Sequence, residues 1–375
     1  MNNKSLKSIF KSAMSAAALA IAASGYAYAA DMPLKSPPPP KPVPFFFVND
    51  TSVSFTYFPT ATDPGVAGSS GSVIGGIAGQ KNFINRYSSE IDHFDVWEYG
   101  TNLIHAEYDM YGNQDPVQGS PGAQGDREFY GFFRSTIGLN EVTHSKMFSS
   151  FLFTDVGLEV GGNADIQDNF LSSQDTSYVA GLNFNLNLPG TVLVSILAYK
   201  DYAHNNFDTC NTGFGFNGLG GYFSPVCTGG AGVAPINGDR TFKWAPKIET
   251  FISEPIKFFG DGVPLTFINI ANVTFPKGTG LSSAETFQLG GATGAGQLAN
   301  LANEETKTEV FEDARLSLDT SKVFWGKPGI WDTYVGYRYW YNKFGTDHSA
   351  PLFSTIAAGT SIESSVYVGS TYHFK

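Results

Sequence analysis

The stretch Ile330–Gly345, Ile-Trp-Asp-Thr-Tyr-Val-Gly-Tyr-Arg-Tyr-Trp-Tyr-Asn-Lys-Phe-Gly, constrains the fold more than any other. Side chains alternate faces along a strand, so Trp331, Thr333, Val335, Tyr337 and Tyr339 share one side. Asp332, Tyr334, Gly336, Arg338 and Trp340 share the other. The first face is apolar with aromatic rings toward both ends, as in a strand that crosses a bilayer with rings at its two boundaries. Lipid does not tolerate the arginine on the second face, which must therefore look into a polar interior. A strand of this kind needs partners that repeat its pattern and close.

The rest of the chain supplies them. From Phe45 onward, strand-like segments recur near 45–59, 81–92, 100–111, 127–139, 147–160, 177–187, 191–201, 241–256, 263–276, 304–319, 330–343 and 363–375. Connections alternate between long and short. Those at 60–80, 112–126, 161–176, 202–240, 277–303 and 344–362 are long and rich in Gly, Ser, Asn or Asp. Those at 93–99, 140–146, 188–190, 257–262 and 320–329 are short. A soluble sandwich has no reason to sort its loops by parity; an outer-membrane barrel, with short periplasmic turns and long extracellular loops, does. The fold expected is all-β, a transmembrane antiparallel β-barrel of about twelve strands. Closure also removes the unpaired edges that lipid forbids.

Composition agrees. Charged residues are 15% of the 375, below the roughly 25% of soluble domains. After the N-terminus no apolar run is long enough for a transmembrane helix. The net charge of -11 disfavours nucleic acid as a partner. Residues 1–29 read as a secretory signal peptide, with Lys4, Lys7 and Lys11 before an apolar core and Ala27-Tyr28-Ala29 at the cleavage site. Residues 30–44 are a Pro-rich periplasmic segment, a spacer or a partner arm. The barrel is assigned to 45–375, in the cell outer membrane of a Gram-negative bacterium, as a monomer in outer-membrane lipid. Cys210 and Cys227, the two cysteines of an exported chain, read as one disulfide closing the longest loop.

Three places resist the alternation. Glu312 falls on the outward face between Val310 and Ala314, which points to a bulge or a register error there. Pro246 cannot donate to a ladder and is expected at the start of its strand. The strand at 191–201 is apolar on both faces and takes no orientation.

No cofactor or metal is expected. Gly213–Gly218 matches a dinucleotide fingerprint but lacks the preceding strand and following helix that the motif needs. The histidines have no metal-ligand spacing. His105 shares an inward face with Glu107 and Asp109 and is the one candidate base for an outer-membrane hydrolase, with no serine singled out by a motif. The chain is not expected to be an enzyme.

Inward charges of both signs, among them Arg86, Arg134, Lys247, Arg315 and Arg338 against Glu107, Asp109, Glu128, Glu159, Glu249 and Asp313, either pair across a lumen or serve a polar solute. Inward Tyr130, Phe132, Phe251, Phe311, Tyr334 and Trp340 offer ring faces, where stacking of a base is worth roughly 1–3 kcal/mol. Residues two apart on a strand lie about 7 Å apart on one face. Arg134 sits two positions from inward Phe132 and four from Tyr130, and Arg338 two from Trp340 and four from Tyr334, so each arginine is within reach of a ring. Tyr130, Arg134, Tyr334, Arg338 and Trp340, with Glu107 facing them, are the six expected substrate-binding residues of the lumen.

Several segments carry a resemblance. Asp95-Val96-Trp97-Glu98-Tyr99-Gly100-Thr101-Asn102 followed by Glu107, and Glu128-Phe129-Tyr130 with Arg134, resemble nucleoside-specific channel-forming (Tsx-type) outer-membrane proteins. So do Val179-Ala180-Gly181 with Leu188-Pro189-Gly190, and Tyr337-Arg338-Tyr339-Trp340-Tyr341-Asn342-Lys343-Phe344-Gly345, the most specific of the set. The resemblance implies a twelve-stranded barrel with a narrow lumen that passes nucleosides. The loops at 202–240 and 277–303 are long for that family, and the terminal aromatic is displaced one place, to Phe374. The function expected is a diffusion channel for small polar solutes, nucleosides by resemblance. Its alternatives are a general porin, an outer-membrane hydrolase, and a structural or adhesive barrel.

Overall fold

A computed structural model describes residues 45–64, 66–67, 72–73, 83–112, 125–168, 174–209, 237–258, 260, 263–278, 306–349 and 359–374. The expected signal peptide, the Pro-rich segment, the glycine-rich 213–218 motif and both cysteines with their expected disulfide lie outside the described residues. Twelve long strands form the wall: β1 Phe46–Ala61, β2 Ile84–Trp97, β3 Gly100–Tyr111, β4 Arg127–Gly138, β5 Phe153–Gln167 and β6 Gln174–Leu186, then β7 Thr191–Thr209, β8 Ala245–Ile256, β9 Leu265–Thr274, β10 Glu309–Asp319, β11 Trp331–Tyr341 and β12 Ile362–Phe374. Each pairs antiparallel with the next, and β12 returns to β1 in register from Thr51↔Phe374 to Tyr57↔Val368. The sheet is a closed transmembrane barrel. Residues 237–241 pair with the end of β7, and 66–67 pair with 72–73 in a small hairpin beyond β1.

The two faces follow from alternation. Outward Phe55, Ile104, Leu158, Ile196 and Val368 are more than half exposed or close to it, whereas inward Ser54, Ser88, Ser195 and Ser365 are buried. Rings gather toward the two rims. Tyr57 meets Tyr87 at 4.9 Å near the long-loop end. Phe45 stacks on Trp97 and Trp325 on Trp331 at the short-turn end, at 6.1 and 5.7 Å. Water–lipid boundaries on both sides account for that placement.

Several expected boundaries move. β2 continues to Trp97 rather than stopping at 92, because the turn to β3 is only Glu98-Tyr99. β5 starts at Phe153 rather than 147, since helix α1 (Leu139–Thr143) and the loop behind it occupy that space. The expected connection at 161–176 shrinks to 168–173, as β5 and β6 stay paired up to Ile166↔Gln174. Glu312 does face outward, but no bulge places it there: β9, β10 and β11 pair without a shift on either side. Its carboxylate accepts a hydrogen bond from Asn269 Nδ2 at 3.3 Å, which lowers the cost of its position. Pro246 is the second residue of its strand, with its side chain outward.

The apolar strand β7 is now oriented. Ile196 faces out and is 56% exposed, while Leu197 and Tyr199 point inward and are buried with Val179 of β6. Its inward apolar residues fill lumen rather than meet lipid. Inward glycines serve the same packing. The Tyr367 ring lies against Gly336, and the Tyr334 ring against Gly369, each where a Cβ would collide.

Candidate functional site

The lumen is unevenly filled. Along β12, β1 and β2 it is packed solid: Phe58 and Glu363 are 0% exposed and Arg86 2%. Along β8 to β10 it is open, since Ile270, inward by its register opposite Phe251 and Asp313, is 40% exposed. Open lumen therefore lies beside Ile270, between Phe251 and Phe311, on the β8–β10 side.

On the opposite wall, Arg134 of β4 reaches over Gly161, whose missing side chain leaves it room. Its Nε and Nη2 donate to Glu249 Oε2 and Oε1 at 2.9 and 2.7 Å, and Nη1 donates to Asn163 Oδ1 at 2.9 Å. Bidentate guanidinium–carboxylate pairs are the stronger, directional kind. Lys247 Nζ adds a contact of 3.0 Å to the same carboxylate. Beside this strut, Tyr130 accepts from Asn163 at 3.1 Å, and Glu107 accepts from Ser88 at 2.8 Å.

His105 lies between these groups. Its Nδ1 is 2.7 Å from Asp92 Oδ1 and its Nε2 3.5 Å from Glu107 Oε2, so both ring nitrogens face carboxylates. A hydrolytic base needs one nitrogen turned to a hydroxyl nucleophile. The imidazole instead stacks on Phe132, ring centres 4.9 Å apart.

Strand β11 carries the second group. Tyr334 is buried, shares a 2.7 Å hydrogen bond with Thr56, and has the Arg315 guanidinium over its ring at 4.8 Å. Arg338 Nε donates to Asp313 at 2.8 Å, and its guanidinium lies 4.7 Å from the Phe58 ring centre and 5.5 Å from that of Phe311. Tyr367 donates to the same Asp313 carboxylate. Trp340 donates its indole N–H to Glu309 Oε1 at 2.6 Å and meets Phe311 edge-on at 5.4 Å. The six expected residues thus form two groups, Glu107, Tyr130 and Arg134 on β3–β4 and Tyr334, Arg338 and Trp340 on β11. Among the described residues no direct hydrogen bond or ring contact joins the two groups, but Glu107 and Arg338 are close enough to interact as opposite charges.

A third cluster was not read from the sequence. Lys343, just past β11, is 1% exposed; its Nζ donates to Glu363 Oε2 at 2.7 Å and to the Thr62 carbonyl at 2.5 Å. Arg86 lies 3.5 Å from Glu363 on one side and 3.5 Å from Asp109 on the other. Across the mouth, Lys277 pairs with Asp201. Alternation ends with the strand, so nothing in the pattern announced that Lys343 would turn inward. Among the described residues no three His, Cys, Asp or Glu side chains are grouped to hold a metal ion.

No protein-family model matches the chain, and no curated protein matches it in sequence. Among solved structures it is similar to the translocator domain of the autotransporter NalP from Neisseria meningitidis, at 10% identity and a TM-score of 0.36, covering 87% of this chain and 89% of that one. It is also similar to Pseudomonas aeruginosa OccK5, at 10% identity and a TM-score of 0.23, covering 89% and 100%. Likeness at this level does not carry function from one barrel to another.

Proposed function

We propose that the chain is an outer-membrane diffusion channel for small polar solutes, with uncharged nucleosides as the solute class its sequence resemblance favours. The observation that carries this reading is the make-up of the open side of the lumen. Arg134, reaching across to Glu249, and Arg338, paired with Asp313, are engaged by acids, and Arg315 lies over the Tyr334 ring, while Phe251, Phe311 and Trp340 present rings. A neutral planar solute meets ring faces and hydrogen-bonding groups there without having to displace a tight counter-ion. Weak, repeated contacts suit conduction, because a solute held too firmly blocks its own exit. The outward apolar face with its two aromatic rims supports the bilayer setting, and the short turns would face the periplasm.

Reconstituted liposomes test it. Swelling rates are compared for uridine and adenosine against sugars and amino acids of similar size. Faster entry of the nucleosides is expected; equal rates reduce the protein to a general porin. The solid packing along β12, β1 and β2 favours one second reading, a closed structural barrel, and exclusion of every solute would leave that one standing.

A further inference from the structure

The segment after β11 folds inward. Asn342 and Phe344 both have positive φ, 51° and 58°, and Gly345 follows at 75°. Residues with a Cβ rarely take that conformation, and two such residues within three positions persist only where their surroundings hold them. The surroundings here do. Toward β10, Asn342 Nδ2 donates to the Thr308 carbonyl at 3.0 Å, and Lys307 N–H donates to the Gly345 carbonyl at 2.9 Å. The Phe344 N–H donates to Glu309 Oε1 at 3.2 Å, the oxygen that also receives the Trp340 indole. Toward β1 and β12, Lys343 is sunk beside inward Glu363 and reaches the Thr62 carbonyl. The turn is therefore fastened to the strands on either side of β11, to the start of β10 and to the ends of β12 and β1.

We propose that the turn Asn342–Gly345 is the constriction of the passage at its long-loop end, with Phe344 as the side chain that sets its width and Lys343 as the positioning residue that holds it inward. Three features support this role over that of a mere strand ending. Phe344 sits edge-on to Trp340, ring centres 5.1 Å apart, and Trp340 faces the lumen on β11. The Lys343 ammonium lies 4.7 Å from the centre of the same indole, so one residue fixes both turn and ring. Thr306 is wedged between the turn and the β9 side, abutting Gly345 while its hydroxyl accepts from the Lys277 N–H at 2.8 Å. A simple exit to solvent needs none of these ties, and Lys343 would sit in water there rather than at 1% exposure.

The inference rests on the channel reading, and the experiment separates their failures. Full-length protein is placed in planar bilayers, and unitary conductance is recorded with polyethylene glycols of graded length added to each side in turn. For the unaltered protein, polymers added on the long-loop side are expected to be excluded at a shorter length than on the turn side. Phe344→Ala, which leaves the buried charges untouched, should raise conductance and admit longer polymers from the long-loop side only. Lys343→Met should give a fluctuating, larger conductance, with the barrel still heat-modifiable on gels. Unaltered protein that forms no pores overturns both readings. Pores whose conductance and polymer cut-off are unmoved by Phe344→Ala, or that are narrowest at the turn side, overturn this inference and leave the channel reading intact. Those two measurements decide the matter even where Lys343→Met fails to fold.

Discussion

Arg134 on β4 and Glu249 on β8 are separated around the wall by β5, β6 and β7, yet they meet inside the barrel through two parallel hydrogen bonds of 2.9 and 2.7 Å. The chord walls off the segment of lumen under β5–β7, where Glu159 accepts from Ser195 and Asn183 at 2.6 and 3.1 Å. The rest of the lumen lies on the other side of the chord.

Removing one end of that strut should therefore act on stability first. Arg134→Met leaves Glu249 with Lys247 as its one remaining cation and strands Glu159 beside it. Breaking a buried pair by deleting one partner costs about 3–5 kcal/mol. The pair is not wholly buried, so the low end of that range is expected. Arg134→Met with Glu249→Met should recover much of the loss. Urea unfolding in detergent of the two single variants and the double variant gives the coupling directly. Additive losses would mean that the two side chains do not support each other.

The strut also marks where the sequence stops being readable. Alternation put Arg134 and Glu249 on the inward face, and both are there. It could not say that they touch, because periodicity reports a face while strand tilt and stagger decide who lies opposite. For the same reason the six lumen residues were legible singly and their division into two groups was not. β7 was illegible for a different cause: its inward Leu197 and Tyr199 pack against Val179, so neither face is polar. Glu363 falls on the inward face by alternation with Ser365 and Tyr367, but its partner Lys343 lies in a turn, where no period runs.

Paired Gly and Tyr residues give a second, local test. Tyr367 covers Gly336 and Tyr334 covers Gly369, so a methyl group at either glycine must push a ring out of place. Overpacking of this kind costs about 1–3 kcal/mol. Gly369→Ala should lower the temperature at which the barrel loses its heat-modifiable gel shift, by displacing Tyr334 from its bond to Thr56. Gly369→Ala combined with Tyr334→Phe should melt no lower than the single variant if the lost bond is the main damage. A lower value would point to the ring's bulk instead.

Acid should loosen the connection after β11. Partial burial by itself would raise the Asp347 carboxyl, but hydrogen bonds from the Ser349 hydroxyl and N–H, with Lys307 nearby, hold it below the ordinary carboxylate value. A depressed carboxyl contributes stability that is fully present above its unfolded value and is lost as pH falls through the folded one. The contribution is at most about 1 kcal/mol, because the Asp347–Lys307 pair is reached by solvent. Amide exchange at Ser349 should therefore speed up as pH drops below the usual carboxylate range, after correction for intrinsic rates. Asp347→Asn should be fast already at neutral pH and show no such step; an identical step in both proteins would assign it to another group.

Trp340 decides between recognition and mere width. Its indole is fixed by the Glu309 carboxylate and flanked edge-on by Phe311 and Phe344, which leaves it a rigid plane at the top of the open side. If a base stacks there, replacing the ring by Ala forfeits roughly 1–3 kcal/mol of contact. Uridine entry should then lose its advantage over sugars of similar size, while glycerol, which cannot stack, enters as fast as before or faster. Tyr130→Ala on the far wall should give a smaller effect in the same direction, since its hydroxyl is occupied by Asn163 and its ring lies beside His105 and Phe132. Trp340→Phe keeps a ring but loses the bond to Glu309, and it should fall between the unaltered protein and Trp340→Ala. Parallel changes in uridine and glycerol flux across all three variants would mean that these rings set the diameter of the passage and recognise nothing.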